Sequence, residues 1–372
     1  MKSGFFLRAV RNGLFAFCLA GAVVPRHAQA EQQDRLVIFD DDGFALAQWM
    51  VLKAPHVKVL GFATVSGDFW QKEATAYALR GVEIANRPDV PVVAGATYPL
   101  LNTEKRTERW ESLYGKLVWK GAWMKQWVEK TNQPLPPYHA ANSVPDLPWG
   151  NPKTKAAPET AVSFMLRMVH QYPGQVSIIE CGPMTNLALA QKLDPEFASL
   201  AKELVYMGGS LNPQQKLNTP AAAQFAREFG NSPRREFNIR FDPEAASIVM
   251  HAPWKKIVMV PADPSTETEM SEAFVKDITQ SDTPVARIMR KSANNFPLWD
   301  EIAAVVWLDP SLIRTSTDVY VDVNTAFDAQ YGDILSWSEG YQPRLDEQKE
   351  HVVLRVDVPR MKALIKDLIA RP

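Results

Sequence analysis

The chain has 372 residues, with 41 Lys and Arg against 42 Asp and Glu, a formal net charge of −1, 46% hydrophobic and 22% charged residues. This ordinary globular composition excludes a disordered chain, a coiled coil and a collagen-like fibre. The near-neutral balance argues against binding to a nucleic-acid polymer, which calls for a basic excess or stripe. At about 150 residues per domain the length allows two domains, or one large α/β domain. The two cysteines, Cys18 and Cys181, permit no disulfide framework and no CxxC metal site. The six histidines form no HxxxH pair, so a zinc enzyme is not expected. Any bound metal must be held by oxygen.

Residues 1–30 read as an export signal that is removed. Lys2, Arg8 and Arg11 form a positive start, and Gly13 to Val24 is a mostly apolar run of 12 residues, too short to span a bilayer. Ala28-Gln29-Ala30 is a small-x-small cleavage pattern. Cleavage there leaves 342 residues with 37 basic and 42 acidic side chains, a net charge of −5. The expected location is periplasmic or secreted, without stable membrane insertion. An exported chain with the single cysteine Cys181 must rely on a large core, and 342 residues can bury one.

Strand and helix signals then alternate. Arg35–Phe39 predicts a strand and Phe44–Lys53 a helix; Val57–Val65 and Val90–Ala94 predict strands around a helix at Trp70–Asn86. A helix is expected over Pro158–Gln171, with Pro158 in its first turn. Val176–Glu180, Glu203–Met207 and Lys256–Val260 read as strands, with helices at Met184–Lys192 and Asp242–His251, the latter capped by Asp242. Helices near Met270–Thr279, Thr283–Asn294 and Leu298–Trp307 follow. Strands at Asp318–Val323 and His351–Val356 bracket an irregular stretch, and a last helix runs over Pro359–Ala370. Short apolar strands alternating with helices predict an α/β fold on an open, mostly parallel sheet buried on both faces.

Residues 101–157 break this rhythm and are rich in Trp (Trp110, Trp119, Trp123, Trp127, Trp149) and Pro. Such an insertion reads either as a lid or binding loop, or as a packed cover over apolar surface. The rest of residues 31–372 reads as a single domain around it.

Ligands in open α/β sheets bind beyond the carboxyl ends of the strands. There the chain places Asp40-Asp41-Asp42-Gly43, Ser66-Gly67-Asp68, Cys181-Gly182-Pro183, Met207-Gly208-Gly209 and Pro261-Ala262-Asp263. Together they predict a polar crevice with acidic walls. Crowded carboxylates raise one another's pKa unless a cation or donor compensates, and a hard cation with oxygen ligands, usually Ca²⁺, would do so. The alternative is that Asp41 caps the next helix and its neighbours are solvated. No GxGxxG, GxxxxGK[ST] or GxSxG is present, which removes the dinucleotide, P-loop and nucleophile-elbow readings. Cys181 lacks a histidine motif and reads as a small buried residue.

Several blocks resemble the inosine-uridine preferring nucleoside hydrolase family. Val37-Ile38-Phe39-Asp40-Asp41-Asp42-Gly43 is similar to the first half of its DxDPGxDD motif. Val59 to Asp68 resembles its second strand and turn, with Asp68 where Asn is usual, and Pro91 to Ala96 its third strand. Cys181-Gly182-Pro183-Met184-Thr185-Asn186-Leu187-Ala188 looks like its GPLTNLA block, and Met207-Gly208-Gly209 its MGG turn. Glu236-Phe237-Asn238 with Asp242-Pro243-Glu244-Ala245-Ala246 resembles its EFN…DPEAA block, and Trp299 to Ala304 its late helix. These occur in family order from Leu36 to about Trp337.

The resemblance implies a Rossmann-like, doubly wound sheet of nucleoside-hydrolase type and hydrolysis of a purine or pyrimidine nucleoside to base and sugar. It implies a Ca²⁺ site lined by Asp40, Asp42, Asp300 and the carbonyl of Cys181, with Asp42 as general base. It implies that Asn231, Glu236 and Asn238 bind ribose hydroxyls beside Met207 and Asp68, and that the chain is a homo-oligomer. Three departures stand out. Ala45-Leu46-Ala47 occupies the place of two expected acids, Trp299 replaces the family's acid histidine and offers a stacking surface for the base, and the Asn231–Glu236 spacing is one residue short. The pattern resembles a divergent, exported, bacterial-type branch of the family. The missing acids also suit an alternative, an exported riboside-binding protein that has lost turnover.

Overall fold

The computed structural model describes Met1 and residues 34–131, 133–292 and 295–372; the expected export signal, Met1 apart, lies outside the described residues. The strands are β1 (Arg35–Asp41), β2 (Val57–Thr64), β3 (Val92–Ala94), β4 (Val176–Glu180), β5 (Glu203–Met207), β6 (Ile257–Val260), β7 (Ile313–Val323), β8 (Ile334–Trp337) and β9 (Lys349–Val356). They form one sheet in the order β3-β2-β1-β4-β5-β6-β9-β7-β8. All pairs are parallel except β7 with β8 and β7 with β9. Residues Asp34–Pro372 cluster as one compact unit.

The strands are short and apolar because both sheet faces are covered. All five residues of β4 and all five of β5 are buried. One core holds Val37 and Phe39 of β1 with the helices Leu46–Lys53, Asp300–Leu308 and Val358–Ala370. The other holds Ile38 of β1 with the helices Ala161–Gln171, Thr185–Leu193 and Pro243–Met250. Successive β1 side chains therefore go to opposite cores, as strand geometry requires. Helices on both faces make the sheet doubly wound, and the chain reverses its winding between β1 and β4. That switch point is where such sheets open a crevice.

Element boundaries shift for identifiable reasons. β1 runs two residues further than its apolar run, into Asp40 and Asp41, because both keep ladder partners on β2. The helix expected from Pro158 begins at Ala161, where Thr160 Oγ1 caps the Ser163 N–H at 3.2 Å. Asp242 caps the Pro243–Met250 helix, accepting from the Ala245 N–H at 3.2 Å. The late irregular stretch contains β8, whose four residues carry little periodicity and are held by antiparallel pairing with β7.

Residues 101–157 contain a helix at Glu104–Tyr114 and a 3₁₀ turn at Gly121–Trp123. The two readings of this insertion divide by residue. Trp110 and Trp123 are buried, and Trp149 packs on the main core, so these act as cover. Trp119 and Trp127 are half-buried and stack on each other at 5.4 Å. Among the described residues no helix is long and apolar enough to cross a membrane.

One buried acid sits in the core away from the crevice. Glu350 of β9 is 1% exposed and accepts a hydrogen bond from the Tyr206 hydroxyl at 2.5 Å. Burial raises its pKa from 4.5 to about 8. Between those values the unfolded chain has lost this proton while the folded chain keeps it, so stability falls as pH rises. Glu350→Gln is expected to flatten the decline in denaturation midpoint between pH 5 and 8, relative to wild type.

Candidate active site

The site is built on the carboxyl end of β1. Side-chain alternation turns Asp40 and Asp41 to opposite faces. Asp40 is fully buried and accepts from Asn186 Nδ2 at 3.0 and 3.1 Å. It lies in register with Glu180 of β4, whose Oε1 accepts from the Gly182 N–H at 2.9 Å. Burial pushes the Asp40 carboxyl up to about 7, and burial together with Asp40 holds the Glu180 carboxyl well above the usual range. Asp40 thus joins a buried carboxyl pair with Asn186, which also anchors the Ala96 N–H at 2.8 Å.

Asp41 faces the other side. Its oxygens accept from the Asp42 N–H at 2.7 Å and from Gln48 Nε2. It does not cap the Leu46–Lys53 helix, whose N-cap is Ala45. The largest charge acting on Asp41 is Asp300, at the start of the Asp300–Leu308 helix. Asp40 lies on the Asn186 side of the strand, away from the face that Asp41 shares with Gln48.

Asp42 is buried, and its Oδ2 accepts from the Asp68 N–H at 2.7 Å. Two glycines let the chain close around it. A Cβ on Gly67 would lie 1.9 Å from Asp42 Oδ2, and one on Gly182 would lie 2.9 Å from the Asp42 nitrogen. Burial raises the Asp42 carboxyl well above its ordinary range, and Asp68 and Glu236 add to it. Burial does the same for Asp300, reinforced by Glu301, Asp42, Asp68 and Glu236. Glu301 is buried, accepts from the Trp299 N–H at 3.2 Å and is raised to about 7, by burial.

The ribose-side residues also converge. Glu236 caps the Phe237–Phe241 helix, accepting from the backbone N–H groups of Asn238 (2.9 Å), Ile239 (3.2 Å) and Gly209 (2.9 Å). Burial pushes it to about 7 against those three bonds. Asn238 Nδ2 donates to the carbonyls of Cys181 at 3.1 Å and Met207 at 3.2 Å, tying the ends of β4 and β5 together. The Cys181 thiol is buried and held well above its usual pKa, by burial and then by the charges of Asp300, Asp41, Glu180 and Glu301. It is no thiolate nucleophile.

Asn231 is not brought in. It is exposed and lines a separate surface cavity of about 440 Å³ with Lys116, Arg234 and Gln330. The link from Asn231 to Glu236 runs through Arg235, held by Asp333 at 3.2 Å and lying over the Trp110 ring, which keeps Asn231 on the outside.

An aromatic wall flanks the acids. Trp299 is half-buried, parallel to Phe296 at 6.2 Å and edge-on to Phe225 at 5.5 Å. Phe225 in turn meets Trp127 at 6.1 Å and Trp119 at 6.4 Å. Trp119 donates its indole N–H to Asp68 Oδ1 at 2.5 Å. Pattern reading of the sequence missed Trp119, Phe225, Gln48 and Glu301. The Trp-rich insertion was the one signal for the first of these.

The donor set suits a hard cation. The principal charges acting on Asp41, Asp42 and Asp300 are all acidic, and the candidate ligands are oxygens. Among the described residues no three His, Cys, Asp or Glu side chains form a ready metal cage.

Known proteins are similar to this chain in sequence and in fold. The chain is 28% identical over 366 residues to a probable uridine nucleosidase 1 of Oryza sativa, spanning 91% of this chain and 98% of that protein. It is 24% identical over 355 residues to the inosine-uridine preferring nucleoside hydrolase of Leishmania major, at 91% and 98% coverage. Its fold matches a solved plant nucleoside hydrolase with a TM-score of 0.65 at 23% identity, and an inosine-guanosine nucleoside hydrolase with 0.67 at 18%, each over 91% of this chain and 99% of the other. The model of the family described as inosine-uridine preferring nucleoside hydrolase matches residues 37–363, and the chain belongs to that family.

Proposed function

We propose that this chain hydrolyses the N-glycosidic bond of ribonucleosides to base and sugar, with Asp42 as general base. The observation that carries this reading is the crowding of carboxylates at the β1/β4 switch point, Asp41 and Asp42 buried and Asp300 half-buried, beside an aromatic wall. Cleavage through an oxocarbenium-like state gains from negative surroundings and from a water made nucleophilic by an adjacent base. Burial, with the charge of Asp68 beside it, raises the Asp42 carboxyl well above the ordinary carboxylate range, the direction that strengthens a carboxylate as a base.

The roles divide along the crevice. Asp42 takes the proton of the attacking water. Glu236 and Asn238 hold ribose hydroxyls at the ends of β4 and β5, with Met207 packed beside the sugar. Trp299 replaces an acid with an aromatic face, so it stacks on the base and leaves its protonation to solvent or to the base itself. Calcium is the proposed cation, held by Asp42, Asp300 and the Cys181 carbonyl, with Asp41 on the Asp300 side in preference to Asp40. When bound it would supply the positive charge that the crowded acids lack and acidify a nearby water.

The absence of acids at Ala45 to Ala47 favours a second reading, in which ribosides bind without turnover. Export of the chain is also proposed, and it rests on residues 1–30 alone; the relatives named above are plant and Leishmania proteins.

Purified protein with millimolar Ca²⁺ is expected to release reducing sugar from members of a purine and pyrimidine nucleoside panel. Calorimetric binding with no sugar released selects the second reading. Asp42→Asn is expected to lower kcat by about 10²-fold or more, the scale of a lost general base, and Asp300→Asn to lower it through loss of a proposed calcium ligand, with the fold of both retained by circular dichroism. Gly67→Ala is expected to lower activity through displacement of the Asp42 carboxylate, because its Cβ would fall on Oδ2. In a bacterial host with a periplasm, amino-terminal sequencing of exported material is expected to begin at Glu31.

A further inference from the structure

The 101–157 insertion meets the acidic crevice at one turn, and it grips that turn twice. Trp119 donates its indole N–H to Asp68 Oδ1 at 2.5 Å, and the Asp68 N–H donates to Asp42 Oδ2 at 2.7 Å. Three residues on, the Ala122 N–H donates to the carbonyl of Gly67 at 2.9 Å. Between them Gly121 has φ +56, and a Cβ there would lie 2.1 Å from the same Gly67 oxygen. The segment from Trp119 to Ala122 is thus seated on Gly67–Asp68 by one side-chain and one backbone bond. The indole is itself held. Its ring stacks on that of Trp127 at 5.4 Å and 30°, and the backbone carbonyl of Trp119 accepts from Arg240 Nη2 at 2.9 Å.

An indole N–H only donates, and an ionised carboxylate only accepts. The bond from Trp119 therefore fixes which way the Asp68 side chain turns, and the Asp68 backbone carries that constraint to Asp42. We propose that Trp119 is a positioning residue: its indole N–H holds the Asp68 turn, and through it the Asp42 carboxylate, while its ring continues the aromatic wall that runs through Phe225 to Trp299. The inference rests on the reading of Asp42 as general base. It gives the insertion a role in the chemistry as well as in covering the core. A water that attacks the sugar needs its base in one place, and a misplacement of about 1 Å can cost 10²-fold in rate.

Two measurements decide it. Trp119→Phe keeps an aromatic ring and removes the N–H. It is expected to lower kcat by about tenfold to a hundredfold, the scale of one hydrogen bond to a charged group, with KM little changed. In an Asp68→Ala background the same substitution is expected to cost nothing further, since the two residues act through one bond. Losses that multiply, or a change confined to KM, would overturn the proposal. The second measurement needs no turnover. With ¹⁵N-labelled tryptophan, the indole proton missing from Trp119→Phe is expected to lie downfield in the wild type and to move upfield in Asp68→Ala. A resonance that stays in place in Asp68→Ala overturns the bond itself. Because the spectrum is read without substrate, failure of hydrolysis and failure of this clamp are separate outcomes. Matched denaturation midpoints for the variants exclude a loss through unfolding.

Discussion

Crowding of acidic side chains where β1 ends governs this structure. Asp41, Asp42 and Asp300 are pushed upward by burial and by acidic neighbours, and Glu236 and Asp68 add to the same field. Burying an uncompensated carboxylate is costly, and the group responds by holding a proton or recruiting a partner. The surrounding architecture supplies what it can. Backbone N–H groups reach Asp41, Asp42 and Glu236, and amide side chains reach Asp40 and Asp41. None of these carries a full positive charge. A pocket left so negative is suited to a cation and to a sugar that becomes positive in its transition state, which is the chemistry proposed for it.

The same strand that creates this crowding also sorts it. β1 is a parallel strand between two cores, so consecutive aspartates part to opposite faces. Asp40 pairs with Glu180 and Asn186 and serves the joint between β1, β4 and the β3 loop. Asp41 turns to the other face, toward Gln48. A run of three acids therefore does two jobs, one structural and one at the site, and the division follows from strand geometry. Gly67 and Gly182 complete the arrangement because no larger residue fits against Asp42.

The aromatic wall shows how a long insertion joins a compact domain. Its buried tryptophans cover apolar surface, and its half-buried pair faces the aromatic row that ends at Trp299. An aromatic face can stack on a planar base but cannot donate a proton from its ring. On the proposed reading, Trp299 would therefore leave leaving-group assistance to the base and to solvent.

The amino-acid sequence by itself determined the alternating parallel sheet, because strands buried on both faces must be short and apolar and helices must cover them. It also determined that acids and glycines collect at one sheet edge, since each follows a strand directly. Asp42, Cys181 and Met207 were legible for that reason, standing at or one residue past a strand end, whereas Glu236 and Asn238, which begin a short helix, were legible only through the resemblance of their block to the family. Asn231 was misplaced because spacing along the chain does not show that Arg235 is drawn inward by Asp333 and Trp110, leaving Asn231 outside. Only the tertiary structure decided that Asp40 goes to Asn186 and Asp41 to Gln48, and that Trp119 reaches Asp68 across 51 residues of chain. Both depend on how separate elements pack in space, and such packing leaves no periodic trace in the residues that take part.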